Sequence, residues 1–195
     1  MMCSFHWRNK LTKLYVRSKP LLPGWFAAMV SILLFSSTGM ASSRSLQAIQ
    51  LSNIEQNQGK PFYIVDNFPV LNRANMQWAL STYLMAKGHY CNVFISTTQN
   101  YGIDAWHSEY SAQIGSPTGA MYASQKVYWR NYTHGVTIVN PSSKSTFKVT
   151  LNASFSYVDL YGNAVGSTVV LSPHSGIVLL TSTRGHLHIL HQVPL

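Results

Sequence analysis

The chain has 195 residues, room for one domain or one and a fraction, and its 46% hydrophobic content excludes wholesale disorder. Fourteen Lys and Arg against five Asp and Glu give a net charge of +9, which would suggest nucleic acid if the charge were spread over the chain. It is not: Arg8, Lys10, Lys13, Arg17, Lys19 and Arg44 lie in an acid-free head, and the remainder carries a net +3. No basic stripe is left to follow a phosphate backbone, so nucleic acid is excluded as a partner.

The head instead has the pattern of a leader over residues 1–41. Lys10, Lys13, Arg17 and Lys19 precede an apolar run, Trp25 to Phe35, and Gly39 and Ala41 supply small residues where a signal peptidase cuts. This run of 11 residues is short for a bilayer span. The expectation is therefore an extracellular protein with no stable membrane span once the leader is cleaved after Ala41. The alternative is membrane anchoring by an uncleaved leader. Cys3 falls in the leader, which leaves Cys91 single and expected to be buried in a strand. Asn131-Tyr-Thr133 and Asn152-Ala-Ser154 match the glycosylation acceptor pattern.

Residues 45–115 read as alternating helix and strand. Ser45 to Gln58 can form a helix with Leu46, Ile49 and Ile54 to one side and Gly59 as its stop. Pro61-Phe-Tyr-Ile-Val65 is a short apolar run of the kind a buried parallel strand shows. Asn72 is the expected N-cap of a second helix and Gly88 its expected C′ residue. Between them Met76, Ala79, Leu80, Tyr83 and Leu84 recur at three- and four-residue steps, opposite a polar face. A second short strand follows at Asn92 to Ile95, and then an aromatic-rich connection, Tyr101 to Gln113, with room for one short helix.

From Ala123 the pattern changes to short strands at 126–130, 135–139, 146–151, 155–159, 169–171 and 177–181, with turns at Asn131 to His134 and Leu160 to Asn163. Gly162 is free to take positive φ in the second of these turns. Residues 120–182 are expected to be an antiparallel β-sandwich, with Val136, Ile138, Val149, Leu151, Ile177 and Leu179 on its buried faces, and 183–195 a tail.

Gly115-Ser-Pro-Thr-Gly119, Val127-Tyr-Trp-Arg130, Gly135-Val-Thr-Ile-Val-Asn-Pro141, Tyr157-Val-Asp-Leu-Tyr-Gly162 and Leu171-Ser-Pro-His-Ser-Gly-Ile-Val-Leu-Leu180 follow one another in this order. The series resembles the carboxy-terminal part of hypothetical glycosyl hydrolase family 15, over roughly Gln47 to Thr181. The resemblance implies an α+β composite: the last βα units of a (β/α)8 barrel followed by a small β-domain. It also implies carbohydrate as the partner and O-glycosyl hydrolysis as the reaction of full-length relatives. Six or so barrel strands would be missing before Ser45, so the expectation is a truncated, inactive member. The alternatives are a secreted non-catalytic module that binds glycan or protein through its β-domain, and a fragment without a function of its own.

Glycoside hydrolysis needs two carboxyl groups about the scissile bond, and the chain has Glu55, Asp66, Asp104, Glu109 and Asp159. Asp66 is the catalytic candidate because it follows the strand ending at Val65, and barrel active sites sit at the carboxyl ends of strands. The competing role for Asp66-Asn67 is a turn and cap. Trp106, Tyr101 and Tyr110, interleaved with Asp104 and Glu109, are candidates for stacking on a sugar ring, or else pin the connection. Asp159 belongs to a turn. His186, His188 and His191 have no acidic or Cys partner nearby, and no phosphate-cradling glycine loop or G-x-S-x-G elbow is present. No metal and no cofactor is expected.

Overall fold

The computed structural model describes residues 31–36, 42–100 and 106–183. Cys3, Tyr101, Asp104 and the histidine-rich tail lie outside them. Among the described residues a parallel sheet is built from β1 (Ser31–Ser36), β2 (Phe62–Phe68) and β3 (Cys91–Thr97), in the order β1-β2-β3. The crossovers are helices α1 (Ser42–Asn57) and α2 (Arg73–Ala86), as parallel neighbours require. β1 occupies part of the apolar run expected as the core of a leader. It pairs with β2 from Ser31 opposite Phe62 to Ser36 opposite Asn67.

The remaining strands are antiparallel: β4 (Tyr122–Ser124), β5 (Val127–Tyr132), β6 (Gly135–Asn140), β7 (Phe147–Thr150), β8 (Phe155–Asp159), β9 (Ala164–Val165), β10 (Thr168–Leu171) and β11 (Ser175–Thr183). Among the described residues they form a six-stranded sheet, β4-β5-β6-β11-β8-β9, and a two-stranded one, β10-β7. The protein is thus of mixed α+β class. Strand alternation sorts the residues as expected. Val136, Ile138, Val149, Leu151 and Leu179 are buried in one cluster, with Ile177 half-buried against it. In that cluster the β7–β10 pair covers part of one face of the larger sheet. β4 and β9 have too few residues to show a period, which is why the sequence does not reveal them.

On the other face of the six-stranded sheet lies α2. Gln77 Oε1 accepts from the Val178 backbone N–H at 2.9 Å, and Thr137 Oγ1 donates to the Ser81 carbonyl at 3.4 Å. Gly176 allows the closest approach, since a Cβ there would run into Ser81 Oγ. The opposite side of α2 packs on the parallel sheet, with Ala79, Met76 and Leu84 sharing a core with Phe68 and Ile95. The helix is therefore buried on two sides, and the polar face expected of it is not solvated: Gln77, Ser81 and Thr82 are all buried. In α1, Ile49 is buried as expected, but Ile54 is 53% exposed. The buried line is Ile49, Ser52 and Gln56, at helical spacing but polar in two positions out of three.

The ends of α2 are fixed by different means. Asn72 caps the start, its Oδ1 accepting from Asn75 N–H at 2.9 Å. Gly88 stands at C′ as expected, one residue past the Lys87 C-cap, but without the positive φ of a left-handed glycine stop. Side chains cap the last carbonyls instead. Arg130 donates to Leu84 O and Met85 O at 2.9 and 3.0 Å, Tyr132 to Leu84 O at 2.7 Å, and Gln56 to Ala86 O at 3.0 Å. Gly88 serves to admit Gln56, whose Oε1 would meet a Cβ at that position.

Candidate functional site

A cleft of about 440 Å3 opens beyond the carboxyl ends of β2 and β3. The loop after β2 and the first turn of α2 contribute Leu71, Asn72, Arg73 and Met76. The connection after β3 supplies His107 and Glu109, and the β8–β9 turn supplies Tyr161. Such an edge is where α/β proteins place their ligands, since loops there are free to vary while the strands hold their bases still.

Polar and aromatic groups are ordered around the cleft. The Arg73 guanidinium stands 4.5 Å from the centroid of the Tyr161 ring, and Tyr161 Oη donates to Arg73 O at 3.5 Å. Burial and the neighbouring Glu109 carboxylate push the Tyr161 phenol up to about 12, so it remains a hydrogen-bond donor at neutral pH. Glu109 accepts from Ser108 Oγ at 3.2 Å, within a 3-10 turn, Ser108–Ser111. His107 Nε2 lies 3.3 Å from Ile95 O, a contact that requires its proton on that nitrogen. Trp106, which precedes the lining residue His107 in the chain, is 76% exposed. Tyr110 meets it edge-on with centroids 5.5 Å apart, and His107 meets Tyr110 in the same way at 5.3 Å. An indole exposed to this degree keeps most of its surface available for stacking.

Asp66 does not join this group. β2 runs three residues further than the sequence suggests, to Phe68, so Asp66 lies inside the strand, opposite Phe35 on β1 and Ile95 on β3. Alternation puts it on the same face as Phe62, Ile64 and Phe68, which pack in clusters with α1 and α2 residues. Its carboxyl is 1% exposed, and neither oxygen has a hydrogen-bond partner among the described residues. Burial raises its pKa to about 7. Thr82 Oγ1, on α2, is likewise buried without a partner among the described residues.

The other acids have evident roles. Glu55 pairs with Lys60 at 3.2 Å. Asp159 accepts from Tyr161 N, Asn163 N and Asn163 Nδ2 at 2.8, 2.8 and 2.9 Å. Burial works to raise its pKa, but the Asn163 and Tyr161 bonds outweigh it and leave it lowered. It is the turn residue the sequence suggests, with Gly162 at φ +81°. Cys91 is buried and free, its thiol pushed up to about 11 by burial, so it is inert at neutral pH. Among the described residues no group of three or more His, Cys, Asp or Glu is placed to hold a metal, and no helix is long and apolar enough to cross a membrane.

Arg73 and Tyr161 are the members that sequence reasoning passed over. They stand 88 positions apart, and nothing in local pattern marks two such residues as neighbours.

Residues 42–136 match the model of a family described as Hypothetical glycosyl hydrolase family 15. The chain is similar to that family over α1, β2, α2, β3, β4 and β5, which includes the loop after β2 and the His107–Glu109 side of the cleft. The motifs at 115–119 and 127–130 fall inside the match. Those from Tyr157 onward lie beyond it. No curated protein matches the chain.

Proposed function

From this glycosyl hydrolase-like frame, we propose that the chain binds carbohydrate at the cleft beyond β2 and β3 without hydrolysing it. The observation that carries this reading is Trp106, an indole 76% exposed and next in the chain to His107, which lines a cleft that offers a carboxylate, a guanidinium and an imidazole. Sugar rings present C–H faces that suit an aromatic platform and hydroxyls that suit charged and amide partners. Hydrolysis asks for more, namely two carboxyls about 5–5.5 Å apart for retention or roughly 6.5–9.5 Å for inversion. Among the described residues the cleft brings only Glu109, while Asp66 faces the helix layer. The parallel β1-β2-β3 sheet with its two crossover helices supports the reading of these residues as a segment of a (β/α)8 barrel. The β7–β10 pair over the larger sheet supports a sandwich-like β-domain.

The test is a binding and turnover assay of the full chain against aryl glycosides and polysaccharides. Binding without turnover is expected, and Trp106→Ala should weaken binding at least tenfold while leaving the melting temperature unchanged. Turnover that disappears in Glu109→Gln or Asp66→Asn would overturn the inactive reading and make that residue catalytic.

Export is supported by the leader pattern, but β1 and the leader core share residues 31–35. Cleavage after Ala41 would leave the β2 edge unpaired where β1 now hydrogen bonds. That favours a form in which the segment stays. Amino-terminal sequencing of the protein decides between the two: a start near Ser42 means cleavage, and a start at Met1 means retention.

A further inference from the structure

We propose that the six-stranded sheet carries a second binding groove, separate from the Trp106 cleft, for an uncharged polysaccharide. The β7–β10 pair covers only part of the sheet face turned away from α2. Beside it a groove of about 320 Å3 remains open, walled by exposed Tyr122 on one side and half-buried Phe155 on the other, with the buried Trp129 and Tyr157 beneath. The register places these residues on one face. Tyr122 lies opposite Trp129, Asn131 opposite Val136, and Tyr157 opposite Thr181, and alternation carries the common side through each strand.

From β4 to β8 the groove crosses four strand spacings, roughly 19 Å, which is longer than a single sugar ring. Tyr122 is 43% exposed. Phe155 and Tyr157 meet at 68° with centroids 6.3 Å apart. The Tyr122 hydroxyl donates to Asn131 Oδ1 at 3.4 Å, which leaves the Asn131 amide N–H groups to donate into the groove. Burial raises the Tyr157 phenol, so it stays protonated and able to donate.

The sign of the charge decides the ligand class. None of the described residues lining the groove is charged. Arg130 lies on the opposite face of β5, spent on the carboxyl end of α2. Anionic polysaccharides and nucleic acids need cations that this surface does not offer, whereas a neutral polymer of hydroxyls needs aromatic faces, amides and hydroxyls. Asn131 and Asn152, the two glycosylation acceptors, both line the groove, so attached glycans would block it and the protein must come from a host that adds none.

The experiment is affinity electrophoresis of the full chain in gels containing β-glucan, xylan, mannan or starch, beside gels containing polygalacturonate. Retardation by at least one neutral polymer is expected, falling at least fivefold in the Tyr122→Ala/Asn131→Ala double variant at unchanged melting temperature. Trp106→Ala separates the two sites. Retardation that survives in Trp106→Ala and disappears in the double variant supports the groove even if the cleft fails. Retardation abolished by Trp106→Ala and untouched by the double variant overturns the groove and leaves the cleft standing. No retardation by any neutral polymer, or retardation by polygalacturonate alone, also overturns it.

Discussion

Asp66 carries a carboxyl where the fold provides neither water nor a described hydrogen-bond partner. Its folded pKa of about 7 stands above the ordinary carboxylate value of 3.8, so the native state holds its proton where the unfolded state has lost it. The linkage sign follows: stability is fully present below about pH 4 and is lost as pH rises through about 7. The loss is on the order of 4 kcal/mol by pH 8. Asp66→Asn should remove this dependence and be more stable than the wild type at pH 8, as thermal melts across pH would show. A wild-type melting temperature that does not fall from pH 5 to pH 8 would refute the buried-acid account. Asn140 is the contrasting case, fully buried and fully satisfied. Its Nδ2 reaches the carbonyls of Ser145, Leu171 and Ser172 at 2.8, 3.0 and 2.8 Å, and its Oδ1 accepts from Ser142 N–H. Asn140→Asp replaces these donors with a charge facing carbonyls and should destabilise by about 1–3 kcal/mol for each buried carbonyl left unpaired. Urea unfolding gives the measurement.

At the scale of the element, α2 shows why the sequence misled about a face while locating the helix well. Its apolar residues at three- and four-residue steps mark one buried side, and Asn72 marks the start. Ser81 and Gln77 look like a solvated side until β11 comes to lie against them, with Gly176 at the point of contact. The carboxyl end depends on Arg130, which satisfies two helix carbonyls and sets a cation at the negative end of the helix dipole. Arg130→Ala should therefore destabilise by roughly 1.5–3 kcal/mol, lowering the melting temperature by several degrees with little change in the denaturant m-value. A change within half a degree would mean the cap contributes nothing. The Arg of Val127-Tyr-Trp-Arg130 is thus a structural residue that joins the β-sheet to the helix.

For the whole molecule, the boundary expected between 45–115 and 120–182 runs through a shared core. Tyr132 and Val178 of the antiparallel sheet are buried in the same cluster as Phe68, Met76 and Ile95 of the α/β part. One cooperative transition is the expected behaviour, and Ile138→Asp, which sets a charge in a fully buried position of β6, should abolish it for the entire chain. Calorimetry showing two transitions, with only one lost in the variant, would establish independent domains.

The sequence by itself determined the helices, the parallel and antiparallel segments and most of the antiparallel core, because 3.6- and 2-residue periods are properties of the local chain. Asn72, Gly59 and Gly162 were legible for the same reason, each acting through its own backbone and side chain. Tertiary structure alone decided three things: that Asp66 points into the helix layer, that residues within an apolar leader-like run pair as β1, and that Arg73 and Tyr161 meet Glu109 at one cleft. Each depends on where a strand ends or on which distant segment packs beside it. Those are set by burial and pairing between segments, for which a single residue pattern carries no mark.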